Sequence, residues 1–271
     1  MIPVGLTIAG SDNSAGAGIQ ADLKTMSALG VYGVTAVTCV VAEVPGKVSA
    51  IQPVEPRIVA EQIRLLFEAF PVAALKTGML YSCEIIEAVC GTLRECVARS
   101  AVPPPIVVDP VMVATSGDAL LQQDAVALYR ERLFPMAALV TPNLDEVRVL
   151  LGRTVSNLEE MRTAGRELAA HHGCAFLIKG GHLNLDPATD LLCLPDGEVE
   201  EFSARFVRGV STHGTGCTYA AAITAGLARG RSLPESVGEA KCYLANTVAQ
   251  FLRWTQEGRT TDALHHFAPR T

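Results

Sequence analysis

The chain has 271 residues, 49% of them hydrophobic, with a formal net charge of −6. That is enough apolar material for a sizeable core and suits one large α/β domain over residues 1–271. The acidic balance, with no clustered Lys and Arg, argues against nucleic acid or an anionic membrane as partner, because binding a polyanion by counterion release needs such clusters.

The N-terminus, Met1-Ile-Pro-Val-Gly-Leu-Thr-Ile-Ala-Gly10, has no basic leader, and no apolar run approaches a bilayer-spanning length. A soluble, cytoplasmic protein is expected. Short apolar runs bounded by turn residues recur at Val4–Ala9, Val34–Val41, Ala73–Thr77, Ile106–Asp109, Ala138–Thr141 and Ala175–Lys179, and read as strands. Between the second and third, Val59, Ile63, Leu66, Phe67 and Phe70 form one apolar stripe on a helix that follows Pro56. Strand runs without polar alternation suit a sheet covered on both faces, so a mostly parallel sheet with helices on either side is expected. Leu191–Leu194 and Glu198–Phe202 flank Pro195-Asp196-Gly197, a hairpin signal that puts an antiparallel edge late in the chain. No internal repeat or low-complexity linker divides the sequence.

The eight cysteines contain no C-x-x-C pair and are scattered over a large hydrophobic chain, so most read as reduced core residues. Cys83, Cys90 and Cys96 fall at roughly helical spacing, which favours packing over ligation.

In an open α/β sheet, ligands gather at the carboxyl ends of strands, and polar clusters fall at several such ends. Gly10-Ser-Asp-Asn-Ser-Ala-Gly-Ala-Gly18 joins the first strand to a helix. Its spacing is not G-x-G-x-x-G and no acidic residue follows at the dinucleotide interval, so Asp12, Asn13 and Ser14 read as surface residues of a tight turn. Asp109 caps an apolar strand and needs a cation, a metal or hydrogen-bond donors to offset its burial, or else caps a loop. Asn143 and Glu146 read either as a helix N-cap with a reciprocating Glu or as part of a magnesium–phosphate site. Lys179, followed by Gly180-Gly181, is a cation at a strand end or a solvated charge.

Thr212-His-Gly-Thr-Gly-Cys217 then opens a small-residue helix with a cysteine in its first turn. The unpaired N–H groups of that turn and the positive end of the macrodipole suit a phosphoryl group, and a thiol placed there has its pKa lowered. The alternative is a capped helix start with Cys217 as a small buried hydrophobe.

Taken together, these stretches resemble the hydroxymethylpyrimidine/phosphomethylpyrimidine kinases of thiamine biosynthesis, within the ribokinase-like superfamily. The resemblance runs from about Leu6 to about Phe251. It is carried by Leu6-Thr-Ile-Ala-Gly-Ser-Asp12, Gly16-Ala-Gly-Ile-Gln-Ala-Asp-Leu-Lys-Thr25, Lys76-Thr-Gly-Met-Leu80, Asp109-Pro-Val-Met112, Thr141-Pro-Asn143, Lys179-Gly-Gly-His182 and His213-Gly-Thr-Gly-Cys217. It implies a three-layer α/β/α sandwich, often dimeric, and ATP- and Mg²⁺-dependent phosphorylation of the hydroxymethyl group of an aminopyrimidine and of its monophosphate. By that resemblance Gly214, Thr215, Gly216 and Cys217 stabilise the transferring phosphoryl, with Cys217 where most of the superfamily has an aspartate base. Asp109, Asn143 and Glu146 organise Mg²⁺, largely through water. Lys179, Thr212, His213 and Asn143 take the nucleotide side, and Gly10, Ala17, Asp22, Met79 and Val111 line the acceptor pocket. Where the pyrimidine kinases carry a ring-contacting glutamine and the pyridoxal branch a methionine, this chain has Glu43, either in the pocket or solvated before Pro45-Gly46. Pyridoxal kinase is therefore the alternative within the class, and a non-catalytic ligand-binding protein the alternative outside it.

Overall fold

A computed structural model describes residues 1–112, 123–183, 185–210 and 213–267. Among these, nine strands form one sheet: β1 (Val4–Asp12), β2 (Tyr32–Val44), β3 (Lys47–Pro53), β4 (Val72–Thr77), β5 (Ile106–Val108), β6 (Leu139–Val140), β7 (Ala175–Ile178), β8 (Ala188–Cys193) and β9 (Val199–Ala204). Their order is β3-β2-β1-β4-β5-β6-β7-β8-β9. The six strands from β2 to β7 in that order run parallel, while β3 at one end and β8 and β9 at the other pair antiparallel. The helices are α1 (Gly18–Ala28), α2 (Pro56–Ala69), α3 (Cys83–Arg99), α4 (Gln123–Leu128), α5 (Leu144–Leu151), α6 (Leu158–His172), α7 (Thr215–Ala228) and α8 (Leu233–Ala249). A separate hairpin pairs β10 (Leu252–Gln256) with β11 (Arg259–Ala263).

The period of two along each strand sorts side chains to opposite faces. Leu6, Ile8, Leu75, Val108, Val140, Phe176 and Ile178 pack with residues of α2, α3, α5 and α6. Ala74, Val107, Leu139, Ala175 and Leu177 pack with α1, α7 and α8. The result is the expected three-layer α/β/α sandwich. On α2, Val59 and Ile63 are buried, and Leu66, Phe67 and Phe70 pack against the same core. Helix α7 is almost wholly buried and built of Ala220, Ala221, Ala222, Ala225 and Gly226, small residues that let it lie close to the sheet and to α8. All eight cysteines are free thiols.

Strand β3 was not anticipated, so the sheet has an antiparallel edge at both ends. Its residues are almost all exposed, which leaves no apolar run to read. The β10–β11 hairpin escaped for the same reason. Among the described residues no helix is long and apolar enough to cross a membrane.

Candidate active site

The parallel strands all deliver their carboxyl ends to one edge of the sheet, so polar residues far apart in sequence meet there. The last residue of β1 is Asp12. It is 1% exposed, which overturns the surface-turn reading. Its carboxylate accepts the N–H groups of Ser14 and Ala17, each at 2.7 Å, and faces His213 Nε2 at 3.2 Å. Burial pushes this carboxyl up, but the hydrogen bonds from His213, Ser14 and Ala17 outweigh it and hold it well below the usual range. The same hydrogen bond raises the His213 imidazole above its ordinary value. Asp12 thus shapes the β1–α1 turn and ties it to the loop before α7.

Beyond β5 and β7, Asp109 and Lys179 form a second cluster. Lys179 Nζ donates to Asp109 Oδ1 at 3.0 Å, and Thr141 Oγ1 donates to the same oxygen at 3.2 Å. Asn143 and Glu146 form a capping box at the start of α5: Asn143 Oδ1 accepts the Glu146 N–H at 2.9 Å and Glu146 Oε2 accepts the Asn143 N–H at 2.8 Å. Burial, opposed by Lys179 and reinforced by the charge of Asp109, pushes the Glu146 carboxyl up to about 8. The cap and a role at the site are therefore compatible for Glu146, since it also lines the cavity. For Asn143 the side-chain oxygen is committed to the cap.

Helix α7 starts at the third cluster. Its N-cap is Gly214, with no side-chain cap and a left-handed φ of 82°, so the first-turn N–H groups are not covered by a capping side chain. A Cβ on Gly214 would lie 1.8 Å from the Gly16 carbonyl oxygen, which makes glycine obligatory. A Cβ on Gly216 would lie 3.4 Å from both Asp109 Oδ2 and Lys179 Nζ. A cation, a carboxylate and the open end of a helix therefore converge at one point.

These clusters wall a single cavity of about 1370 Å³. Gly10, Ala17, Glu43, Met79 and Val111 line it, together with Asp109, Asn143, Glu146, Lys179 and residues 213–217. Thr212 lies outside the described residues. Glu43 sits on β2, its N–H bound to Asn13 Oδ1 at 2.6 Å, and burial with the charge of Asp12 raises its carboxyl while His213 opposes. The Pro45-Gly46 turn it was read as preceding follows Val44, the last residue of β2.

Two expectations need correction. Asp22 does not line the cavity: it is fully buried, accepting from Lys76 Nζ at 2.8 and 3.0 Å and from Thr7 Oγ1 at 2.6 Å. A buried carboxylate needs its counterion, and Lys76, inside β4, supplies it. Nor is the Cys217 thiol lowered by its helix terminus. Burial pushes it up to about 12, because the opposing pull of Lys76 and the Gly18 N–H is offset in part by the charges of Asp22 and Asp109. Lys76 was missed in the sequence although a signal was present, since a lysine within an apolar strand run must find a buried partner.

Against known proteins, the model of the phosphomethylpyrimidine kinase family matches residues 12–262. A hydroxymethylpyrimidine/phosphomethylpyrimidine kinase of Rhizobium meliloti is 44% identical over 268 residues, covering 98% of each chain. The chain belongs to the phosphomethylpyrimidine kinase family. Among solved structures, a phosphomethylpyrimidine kinase from Clostridium difficile is similar at a TM-score of 0.77 and 37% identity, over 90% of this chain and 98% of that one. An ADP complex of Bacillus subtilis pyridoxal kinase is similar at 0.86 and 32% identity, over 99% and 98%. The chain is thus a phosphotransferase on the ribokinase-like fold. In this phosphomethylpyrimidine kinase family member, the fit of a divalent metal rests on Asp109 and Glu146. Both are buried carboxylates lining the cavity, hard oxygen donors of the kind magnesium takes. Among the described residues no group of three or more His, Cys, Asp or Glu converges as an all-protein metal site.

Proposed function

We propose that this kinase transfers the terminal phosphoryl group of ATP to the hydroxymethyl group of 4-amino-5-hydroxymethyl-2-methylpyrimidine, and then phosphorylates the monophosphate, as a cytoplasmic step of thiamine biosynthesis. The observation that carries this reading is the convergence of Lys179, Asp109 and the α7 N-terminus about Gly216. Phosphoryl transfer is mostly positioning and charge neutralisation, and these groups supply both. The N–H groups of Thr215, Gly216 and Cys217 would hold the transferring phosphoryl, with Lys179 as the phosphate-side cation and His213 also on the nucleotide side. Mg²⁺ would neutralise phosphate charge when bound, held by Asp109 and Glu146 chiefly through water, with Asn143 orienting Glu146 through the cap. Once the Cys217 thiol has given its own proton to solvent, its thiolate accepts the hydroxyl proton as the acceptor oxygen bonds in line to phosphorus and the bond to the ADP oxygen breaks. Lys76 is the positive charge that favours the thiolate.

Glu43 sets the acceptor. A carboxylate is acceptor-only, so it pairs with an aminopyrimidine only when one proton is shared between them, on the ring or on Glu43. The phenolate of pyridoxal would be repelled. The similarity to the Bacillus subtilis pyridoxal kinase favours pyridoxal as the second reading. Side-by-side kcat/KM values for the aminopyrimidine and pyridoxal test the assignment: preference for the aminopyrimidine is expected, preference for pyridoxal reverses it, and no turnover with either leaves a binding protein. The reading includes a homodimer, formed over the β2–β3 edge where Val40, Val44 and Val48 are exposed. Sedimentation velocity checks it.

A further inference from the structure

One wall of the cavity contains a buried ion pair that the chemistry above does not use. Lys241 of α8 donates from Nζ to Asp190 Oδ2 of β8 at 2.6 Å, with side chains 10% and 4% exposed. Both residues line the cavity. The other carboxylate oxygen, Asp190 Oδ1, accepts the N–H of Gly180 at 2.9 Å. Gly180 directly follows Lys179, and a Cβ on it would lie 2.0 Å from the Thr189 carbonyl oxygen, so the turn is pressed against β8. The N–H of Lys179 is bound in turn to the Pro142 carbonyl at 3.0 Å. A continuous chain of contacts thus runs from α8 through Asp190 and Gly180 to Lys179, whose ammonium faces Asp109 and Gly216.

A buried ion pair is a poor source of stability, because desolvating both charges cancels most of their attraction; apolar residues of the same volume do as well. Fixing an orientation is what such a pair does better. Lys179 has a flexible four-carbon stem and a point charge without preferred geometry, so its usefulness at a phosphate site depends on where its backbone is held. A displacement of about 1 Å at such a site can cost on the order of 10²-fold in rate.

We propose that Asp190 and Lys241 are positioning residues for Lys179: Asp190 clamps the Gly180 amide, Lys241 supplies the counter-charge that orients Asp190, and the pair fixes the ammonium at the phosphate site. The proposal rests on the reading of Lys179 as the phosphate-side cation.

Calorimetric binding of ADP and of adenosine to the whole protein separates the possibilities, because only ADP carries phosphates for Lys179 to meet. Lys241→Met should lower the ADP-to-adenosine affinity ratio about 10-fold while adenosine affinity stays unchanged, and Lys241→Arg should restore much of it. Lys179→Ala should lower the ratio by itself, and adding Lys241→Met to it should produce no further drop, since both act through one ammonium. If Lys241→Met weakens ADP and adenosine equally, Lys241 touches the nucleoside and the proposal is overturned. An unchanged ratio with a lowered melting temperature makes the pair merely structural and also overturns it. If Lys179→Ala leaves the ratio intact, the phosphate-side reading of Lys179 fails first and takes the proposal with it. Should Lys241→Met not fold, Asp190→Asn reads the same ratio, since it keeps an oxygen for Gly180 but turns an amide toward Lys241; a fall in the ratio supports the proposal and no change overturns it.

Discussion

At the residue scale, Cys217 and Glu43 are both groups whose surroundings disfavour their charged forms. With its thiol pushed up to about 12 by burial, Cys217 holds its proton at neutral pH. Alkylation by iodoacetamide should therefore be slow compared with an exposed thiol such as Cys242. If Cys217 accepts the acceptor proton, Cys217→Ala should lower kcat by roughly 10²–10⁴-fold with little change in nucleotide affinity. Turnover close to that of the unaltered enzyme would reduce it to an N–H donor. For Glu43 the consequence is a pH dependence. Burial and the charge of Asp12 raise its carboxyl, His213 opposes, and His213 loses its own charge as pH rises. The paired state holds one proton more than neutral ligand with ionised Glu43, so aminopyrimidine affinity should weaken as pH rises through the coupled titration of the pair. Binding followed from about pH 5.5 to about pH 9 should show that loss, and Glu43→Gln should flatten it while keeping the ligand. A flat profile in the unaltered protein removes Glu43 from the contact.

At the element scale, the start of α7 is the piece that tolerates least. Gly214 combines a positive φ with a Gly16 carbonyl where its Cβ would go, so Gly214→Ala costs ~1–3 kcal/mol in backbone conformation before any clash is relieved. Gly216 is helical, with no positive φ to favour glycine, so a substitution there acts through space alone. A Cβ there meets Asp109 and Lys179 at ordinary contact distance, and under the proposed function the γ-methyls of valine would compete with the phosphoryl group for space. Gly216→Val should accordingly stay folded by circular dichroism and lose turnover, whereas Gly216→Ala should lose less. A folded, fully active Gly216→Val enzyme would move the phosphoryl site elsewhere. The helix start itself was legible in the sequence, because a glycine-rich turn before a run of small residues is a local signal. Its neighbours were not legible: which carboxylate and which cation stand over it depends on strand order.

At the scale of the whole molecule, residues from Ala9 to Val248 wall one cavity, and α7, late in the chain, packs beside α1 and the early strands. We read the chain as one folding unit, so calorimetry should show a single unfolding transition that nucleotide displaces as a whole. At a ligand concentration about 100-fold above Kd the gain is about 2.7 kcal/mol, which for a chain of this size corresponds to about 5–10 °C in Tm. Two transitions of which nucleotide shifts only one would divide the chain. The sequence by itself determined the parallel strands, the late hairpin, the helix that follows Pro56 and the glycine-rich helix start, because apolar periodicity and turn chemistry are local properties of consecutive residues. It also carried the family, through short stretches whose combination is distinctive. Only the tertiary structure decided that Asp12 is a buried hub, that Asp22 is fully buried with Lys76, that burial and nearby carboxylates raise the Cys217 thiol, and that Asp190 pairs with Lys241 and accepts the Gly180 N–H. Each of these depends on burial and on partners tens to hundreds of residues away, and neither is encoded in the spacing of neighbours.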